Sequence, residues 1–376
     1  MKPRVAIKSW PPRSSRTVRL LGLACAILIV FASLTPWAGW RDLGVAPWAW
    51  VDAPWPRYFT VFDVSVNVIG YLPLGFLVVL ALHPRVRGAA ALILALLAGA
   101  LLSGAVESAQ TWLPARVPSN LDWCANTAGA LLGALMALPI ASPLIDRGRL
   151  AQLRARWFEP NAQTALLLVG LWPLAQIYPE PMLFANGHWL DSAQALVGAL
   201  GGRLESLQLT RFGPAEYVLA EAVIVTAAVL AAGLLTASAM RPAAPRLPLL
   251  VGVMLAALVV RTLAAGEQFG ADRALIWLTP GAIGGLVLGG LALAAAAFGP
   301  TRWLPRLGLL AMLVLVGAVN AVPENPYYAV TLQAWRPGRT THFYAVAHWL
   351  STAWPYAATL WLAWASVVRR PLSRSL

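Results

Sequence analysis

The sequence predicts an all-α protein, a polytopic membrane helical bundle of about ten transmembrane helices with both termini cytoplasmic. Three observations predict it. Hydrophobic residues make up 59% of the 376 and charged residues only 11%, where a soluble chain carries about a quarter charged. Mean hydropathy is +0.67, and the apolar residues gather into runs able to cross about 30 Å of hydrocarbon. Lys and Arg concentrate in alternate loops, as the positive-inside rule requires.

The apolar runs cover residues 18–38, 61–82, 88–112, 120–141, 163–180, 215–239, 247–265, 274–297, 305–322 and 343–368. The weakest is 163–180, which is short and broken by Pro173. The N-terminal segment holds Lys2, Arg4, Lys8, Arg13, Arg16 and Arg19, and the tail holds Arg369, Arg370 and Arg374. Alternate loops between them hold Arg85 and Arg87; Arg147, Arg149, Arg154 and Arg156; Arg241 and Arg246; and Arg302 and Arg306. The other loops are richer in Trp, Pro, Asp and Glu. The +13 net charge therefore reads as a topology signal, and no basic stripe for nucleic acid is expected.

The first run reads as a retained helix, because Thr35-Pro36-Trp37 interrupts the place for a signal cleavage site. Residues 1–145 then form a four-helix region, 146–162 a basic cytoplasmic connector, and 163–376 a six-helix region. Asp146–Asn161 can form a short amphipathic helix on the membrane surface, and Ser192–Leu204 can lie in the outer interface. Cys25 and Cys124 fall at opposite depths, which excludes a disulfide and leaves them as core fillers. Trp37, Trp40, Trp48, Trp50, Trp55, Trp112, Trp189, Trp335 and Trp349 fall near outer boundaries, as an aromatic belt does.

The informative polar residues lie on the second, third and fourth runs. Asp63, Asn67 and Tyr71 are spaced four apart on one helix face, and Glu107 and Gln110 share a face of the next helix. Arg116 follows in the loop, and Asp122 and Asn126 are again four apart. The second helix enters from outside, the third ends outside and the fourth starts outside. All seven groups therefore converge at one depth. A carboxylate a turn or two inside a membrane helix needs a partner or a wet cavity. Ion pairing of Arg116 with Glu107 or Asp122, with the amides as interhelical glue, accounts for single residues better than for the whole set. Gly129 and Gly133, and Ala130 and Ala134, are spaced to let helices approach closely, and Gly99 can do the same.

Asp63-x3-Asn67-x5-Pro73-Leu-Gly75, Glu107-x2-Gln110-x5-Arg116 and Asp122-x3-Asn126-Thr-x-Gly129-x3-Gly133 stand in this order. Together they resemble the VanZ family of bacterial membrane proteins over about residues 20–140. The resemblance implies an inner (cytoplasmic) membrane location and a link to resistance against glycopeptide antibiotics such as teicoplanin. It carries Asp63, Asn67, Glu107, Gln110, Arg116, Asp122 and Asn126 over as site residues. Many relatives have His near Asn67, and this chain has Val-Ser-Val-Asn there, so an imidazole base is not expected. The six further runs exceed the simple four-helix member.

In the later runs, Gln176, Glu180, Glu216, Glu221, Arg261 and Asn320 stand near outer helix ends, with Arg261 the expected partner of Glu221. His188, His342 and His348 form no close pair, so no metal is expected. No phosphate-binding Gly-rich loop and no nucleophile elbow occur, so no cofactor is expected. Two functions fit the polar set. One is an enzyme acting on an envelope-lipid headgroup, with Glu107, Asp122 and Asp63 as acid and base groups and Arg116, Asn67, Gln110 and Asn126 holding the substrate. The other is a non-catalytic lipid- or antibiotic-handling protein, or a structural subunit of an envelope-assembly complex. Expected partners are membrane lipids or a lipid-linked envelope precursor, and oligomeric state is left open.

Overall fold

The computed structural model describes residues 14–35, 37, 39–145, 149–189, 212–323 and 341–368. Among them the helices are α1 (Ser14–Leu34), α2 (Val61–Leu82), α3 (Gly88–Gln110), α4 (Asn120–Ile145), α5 (Arg149–Trp157) and α6 (Gln163–Ala175). They continue with α7 (Pro214–Ala239), α8 (Arg246–Phe269), α9 (Pro280–Ala297), α10 (Leu304–Ala321) and α11 (Thr341–Val368). No strand forms among the described residues; one isolated bridge joins Phe158 and Met240. Seven helices, α2, α3, α4, α7, α8, α9 and α10, are long and apolar enough to cross a membrane. The protein is thus a multi-pass helical membrane bundle. Residues 1–13 and 369–376, which carry the expected cytoplasmic termini, lie outside the described residues, as do Ser192–Leu204 and Trp335.

The chain forms two compact units, Met1–Ala155 and Arg156–Leu376. In the first, α2 begins with a capping box. The Thr60 N–H donates to the Asp63 carboxylate at 3.0 Å, and the Asp63 N–H donates to the Thr60 hydroxyl at 3.1 Å, which satisfies two orphan donors of the first turn. α2 and α4 then meet backbone to backbone. A β-carbon at Gly129 or Gly133 would overlap the carbonyl oxygen of Val68 or Leu72, and one at Gly75 would overlap that of Ala130. The expected small-residue packing is therefore present, and it fixes which turns of α2 face α4. α3 buries one stripe, Ala91, Ala95, Gly99, Ser103, Glu107 and Gln110. The first three are small and admit close neighbours. The last three turn the same stripe polar as it reaches the helix end.

In the second unit α7 is the central helix, with nearly every residue from Ile224 to Ala239 buried. The run 163–180 departs from the single span expected of it. Helix α6 has 13 residues, about 20 Å, which is short of the ~30 Å core. Pro173 lies in its last turn, and Pro179 and Pro181 follow; each lacks an N–H and resists helix continuation.

Residues 176–187 consequently run as irregular backbone, and most of them are buried. Such backbone is tolerated at membrane depth only when protein satisfies it. Arg261 of α8 donates to the carbonyls of Tyr178 and Glu180 at 2.8 and 2.7 Å. Gln268 of α8 donates to Ile177, and Asn320 of α10 and Tyr356 of α11 both donate to Gly187. The strap's own side chains join in: Gln176 donates to Asn186, Asn186 to Ser351, and the Ser351 hydroxyl to the Glu180 carboxylate. His188 Nδ1 lies 3.0 Å from the other Glu180 oxygen.

Two expectations are corrected here. Glu221 does not pair with Arg261; it accepts the Thr279 hydroxyl at the start of α9, while the Arg261 fork is occupied by strap carbonyls. Cys124 is exposed, so it fills no core; Cys25 is partly buried, and both are free thiols. Trp50 is buried and holds a loop down, unlike the exposed Trp37, Trp40, Trp48, Trp55, Trp189 and Trp349.

Candidate functional site

One end of the first unit gathers the polar residues. The C-terminal end of α3, the loop after it, and the N-terminal turns of α2 and α4 are tied together by side-chain hydrogen bonds. Asn67 Nδ2 of α2 donates to Asp122 Oδ1 of α4 at 2.7 Å. Glu107 of α3 is 3% exposed, and its Oε2 accepts the backbone N–H of Ser119 at 2.9 Å. Gln110 donates to the Ser33 carbonyl of α1 at 3.0 Å. Asn126 of α4 donates to the Ser103 hydroxyl of α3 at 2.9 Å.

Arg116 connects the loop to α1. Its Nε donates to Thr35 O at 3.1 Å and its Nη2 to Ala32 O at 2.9 Å. Those carbonyls lie at the C-terminal end of a helix, where the macrodipole favours a cation. No direct ion pair joins Arg116 to Glu107 or Asp122 among the described residues, but both carboxylates act on its charge through space. Burial lowers the Arg116 pKa from its ordinary value to about 10, against the opposing pull of Glu107 and then Asp122. The group stays cationic at neutral pH. It is only partly buried, and a guanidinium has five N–H donors, so the fork retains capacity beyond the two carbonyls it holds.

The carboxylates differ in their surroundings. Asp63 belongs to the α2 capping box and also faces Asp122 electrostatically. Asp122 is bound to Asn67, and Glu107 lies deeper, with Asp122 and Arg116 as its charged neighbours. Tyr71, one turn below Asn67, is 3% exposed and neighbours Ser103 and Glu107. The Oδ1 atoms of Asn126 and Asn120 are buried without a hydrogen-bond partner. Unpaired buried acceptors of this kind are uncommon and call for an explanation.

All seven residues singled out by sequence lie at this end, Asp63 in a capping role and the other six in bonds between elements. Sequence reasoning missed Ser103 and Ser119, and it read Trp50 only as part of the aromatic belt. Ser103 stands four before Glu107 on the same α3 stripe, so helical spacing could have found it. Ser119 caps α4 by accepting the N–H groups of Leu121 and Asp122, a signal readable as Ser before Asn-Leu-Asp. Trp50 reaches Ser108 at 3.3 Å and packs against Trp123; with Asn120 bonded to Ala53 O at 2.6 Å, it holds the loop before α2 against this end. No spacing rule announces that.

No curated protein and no solved structure matches the chain. The family model described as VanZ/LLP1 matches residues 12–142. The segment carrying the whole polar constellation is therefore the part of the chain that resembles the VanZ/LLP1 family.

Proposed function

We propose that the polar end of the VanZ/LLP1-like segment binds the anionic headgroup of an envelope lipid at the outer face of a bacterial cytoplasmic membrane. The observation that carries this reading is Arg116. It is cationic, partly open, and held in place by α1 carbonyls rather than neutralised by a direct carboxylate contact. Its planar fork suits a phosphate or carboxylate. Asn67, Gln110 and Asn126, bonded to Asp122, Ser33 and Ser103 at the same end, would serve as orienting amides. A site handling lipid-linked envelope precursors also fits a role in glycopeptide resistance, teicoplanin included.

A second reading, turnover of that headgroup, is favoured by the unlike settings of Glu107 and Asp122. Two carboxylates in different environments commonly divide acid and base duties. Comparing envelope lipids by mass spectrometry separates the readings. The strains are a deletion, the deletion complemented with the intact chain, and the deletion complemented with Glu107→Gln. Gln can still accept the Ser119 N–H but cannot transfer a proton. A lipid mass present only with the intact chain means catalysis. Identical profiles in all three, together with an envelope lipid that co-purifies with the intact chain and is depleted by Arg116→Lys, mean binding. Neither a mass change nor a co-purifying lipid would overturn both.

A further inference from the structure

The second unit carries a groove that the proposed headgroup site does not use. It runs between α7, α9 and α10, has a volume of about 520 Å³, and is lined almost wholly by apolar side chains. Ala222, Ala227, Ala296 and Ala311 form its floor, and the exposed Leu219, Leu288 and Leu310 its walls. A floor of small residues between tall aliphatic ones makes a channel for a linear chain. Its one lining hydroxyl, Thr226, is turned to the Gly285 carbonyl at 3.3 Å, so the groove offers no polar group. From Leu219 to Leu234 along α7 it extends about 22 Å, longer than one leaflet of a ~30 Å hydrocarbon core. All three helices are long and apolar enough to lie in the bilayer.

The two ends of the groove differ in charge. The Leu234 and Leu307 end is basic. Trp303 precedes Leu307 by one turn on the helical face that continues through Leu310 and Val314. The Arg306 guanidinium sits over the Trp303 ring, 5.1 Å from its centroid. The ring takes the flat face of the guanidinium and leaves its edge N–H groups for an acceptor. Arg302 is exposed beside it, and Arg246 at the same end is already bonded to Ala297 O at 2.6 Å. The Leu219 end instead carries the exposed Glu216.

We propose that this groove is a binding site for an anionic phospholipid, with one acyl chain along the alanine floor and the phosphate headgroup at Trp303, Arg306 and Arg302. The apolar lining selects a hydrocarbon chain, and the charge difference between the ends selects which way round the lipid lies and the sign of its headgroup. A basic residue near a membrane surface contributes enough that losing one weakens anionic-lipid binding on the order of fivefold.

The test uses the full-length protein purified in detergent, with phosphatidylglycerol or phosphatidylcholine added and bound lipid counted by native mass spectrometry. The wild type should retain phosphatidylglycerol in preference to phosphatidylcholine. The double variant Arg302→Gln, Arg306→Gln should weaken that preference by the share of one bound lipid, the groove's, while still retaining a chain there. Ala292→Phe, at an exposed position lining the groove, should lower by one the number of molecules of either lipid retained, leaving any held at the Arg116 site; its elution profile in size-exclusion chromatography checks folding. Equal retention of the two lipids by the wild type would overturn the proposal. So would an unchanged preference in the arginine double variant.

Discussion

The polar end of the first unit and the buried strap of the second solve the same problem differently. Both place ionisable groups inside a helical membrane protein. In the strap, Arg261 is 4% exposed and holds two backbone carbonyls, and Glu180 is enclosed by Ser351 and His188. The polar side chains there match what irregular backbone needs at depth. At the end of the first unit the helices are regular and need no such help. Yet Arg116 stays partly open and two asparagine oxygens stay unpaired. Unpaired buried atoms occur in both regions, Arg261 Nε and Gln268 Oε1 among them in the second; what sets the first apart is a cation left partly open to an incoming acceptor.

The comparison breaks most readily at Arg261. Arg261→Met leaves the Tyr178 and Glu180 carbonyls unsatisfied in a dry interior, an effect of about 3–5 kcal/mol for a buried charged partner. The expected result is loss of a monodisperse peak in fluorescence-detected size-exclusion chromatography. Next is Gly133→Ala, which drives a methyl into the Leu72 carbonyl and pushes α2 from α4. Overpacking of this kind costs about 1–3 kcal/mol, and it should lower the thermal midpoint and weaken lipid retention together. Gln110→Leu removes one bond to α1, worth about 1 kcal/mol, and should lower the midpoint slightly.

A pH series sharpens the comparison without mutation. The Arg116 pKa is lowered to about 10, so headgroup binding should persist to about pH 9 and fall as the cation is discharged. The sign for folding is opposite. A base with a lowered folded pKa is less protonated folded than unfolded between the two values, so its contribution to stability rises with pH there. Loss of lipid between pH 9 and 11 with the protein still folded is the expected pattern, read by native mass spectrometry beside circular dichroism.

Much of the first unit was legible because its signals are local. Gly129 and Gly133 are spaced for close approach and make it. Glu107 and Gln110 sit on the one stripe that α3 buries. Asp122 and Asn67 meet because both stand one or two turns into helices that start at the same end. What was not legible depends on distant backbone. The ion pair weighed for Arg116 does not form among the described residues; its fork instead holds the last carbonyls of α1, atoms every residue has and no composition reveals. Only residues 176–180 of the strap fall within the expected span 163–180, and nothing in the composition of 181–187 distinguishes buried irregular chain from an outside loop. Pro173, Pro179 and Pro181 were the warning. Depth and charge point Glu221 to Arg261, and a hydroxyl at a helix start takes the place instead.

Whether Glu107 is dispensable for folding decides whether the polar end of the first unit is a site or a scaffold. The most direct measurement is the thermal unfolding midpoint of the purified Glu107→Gln protein beside the wild type in the same detergent. Stabilities within about 1 kcal/mol of each other are expected, since the Ser119 bond survives the change. An unfolding as severe as that expected for Arg261→Met would contradict the site reading, by making Glu107 part of the scaffold rather than of a site.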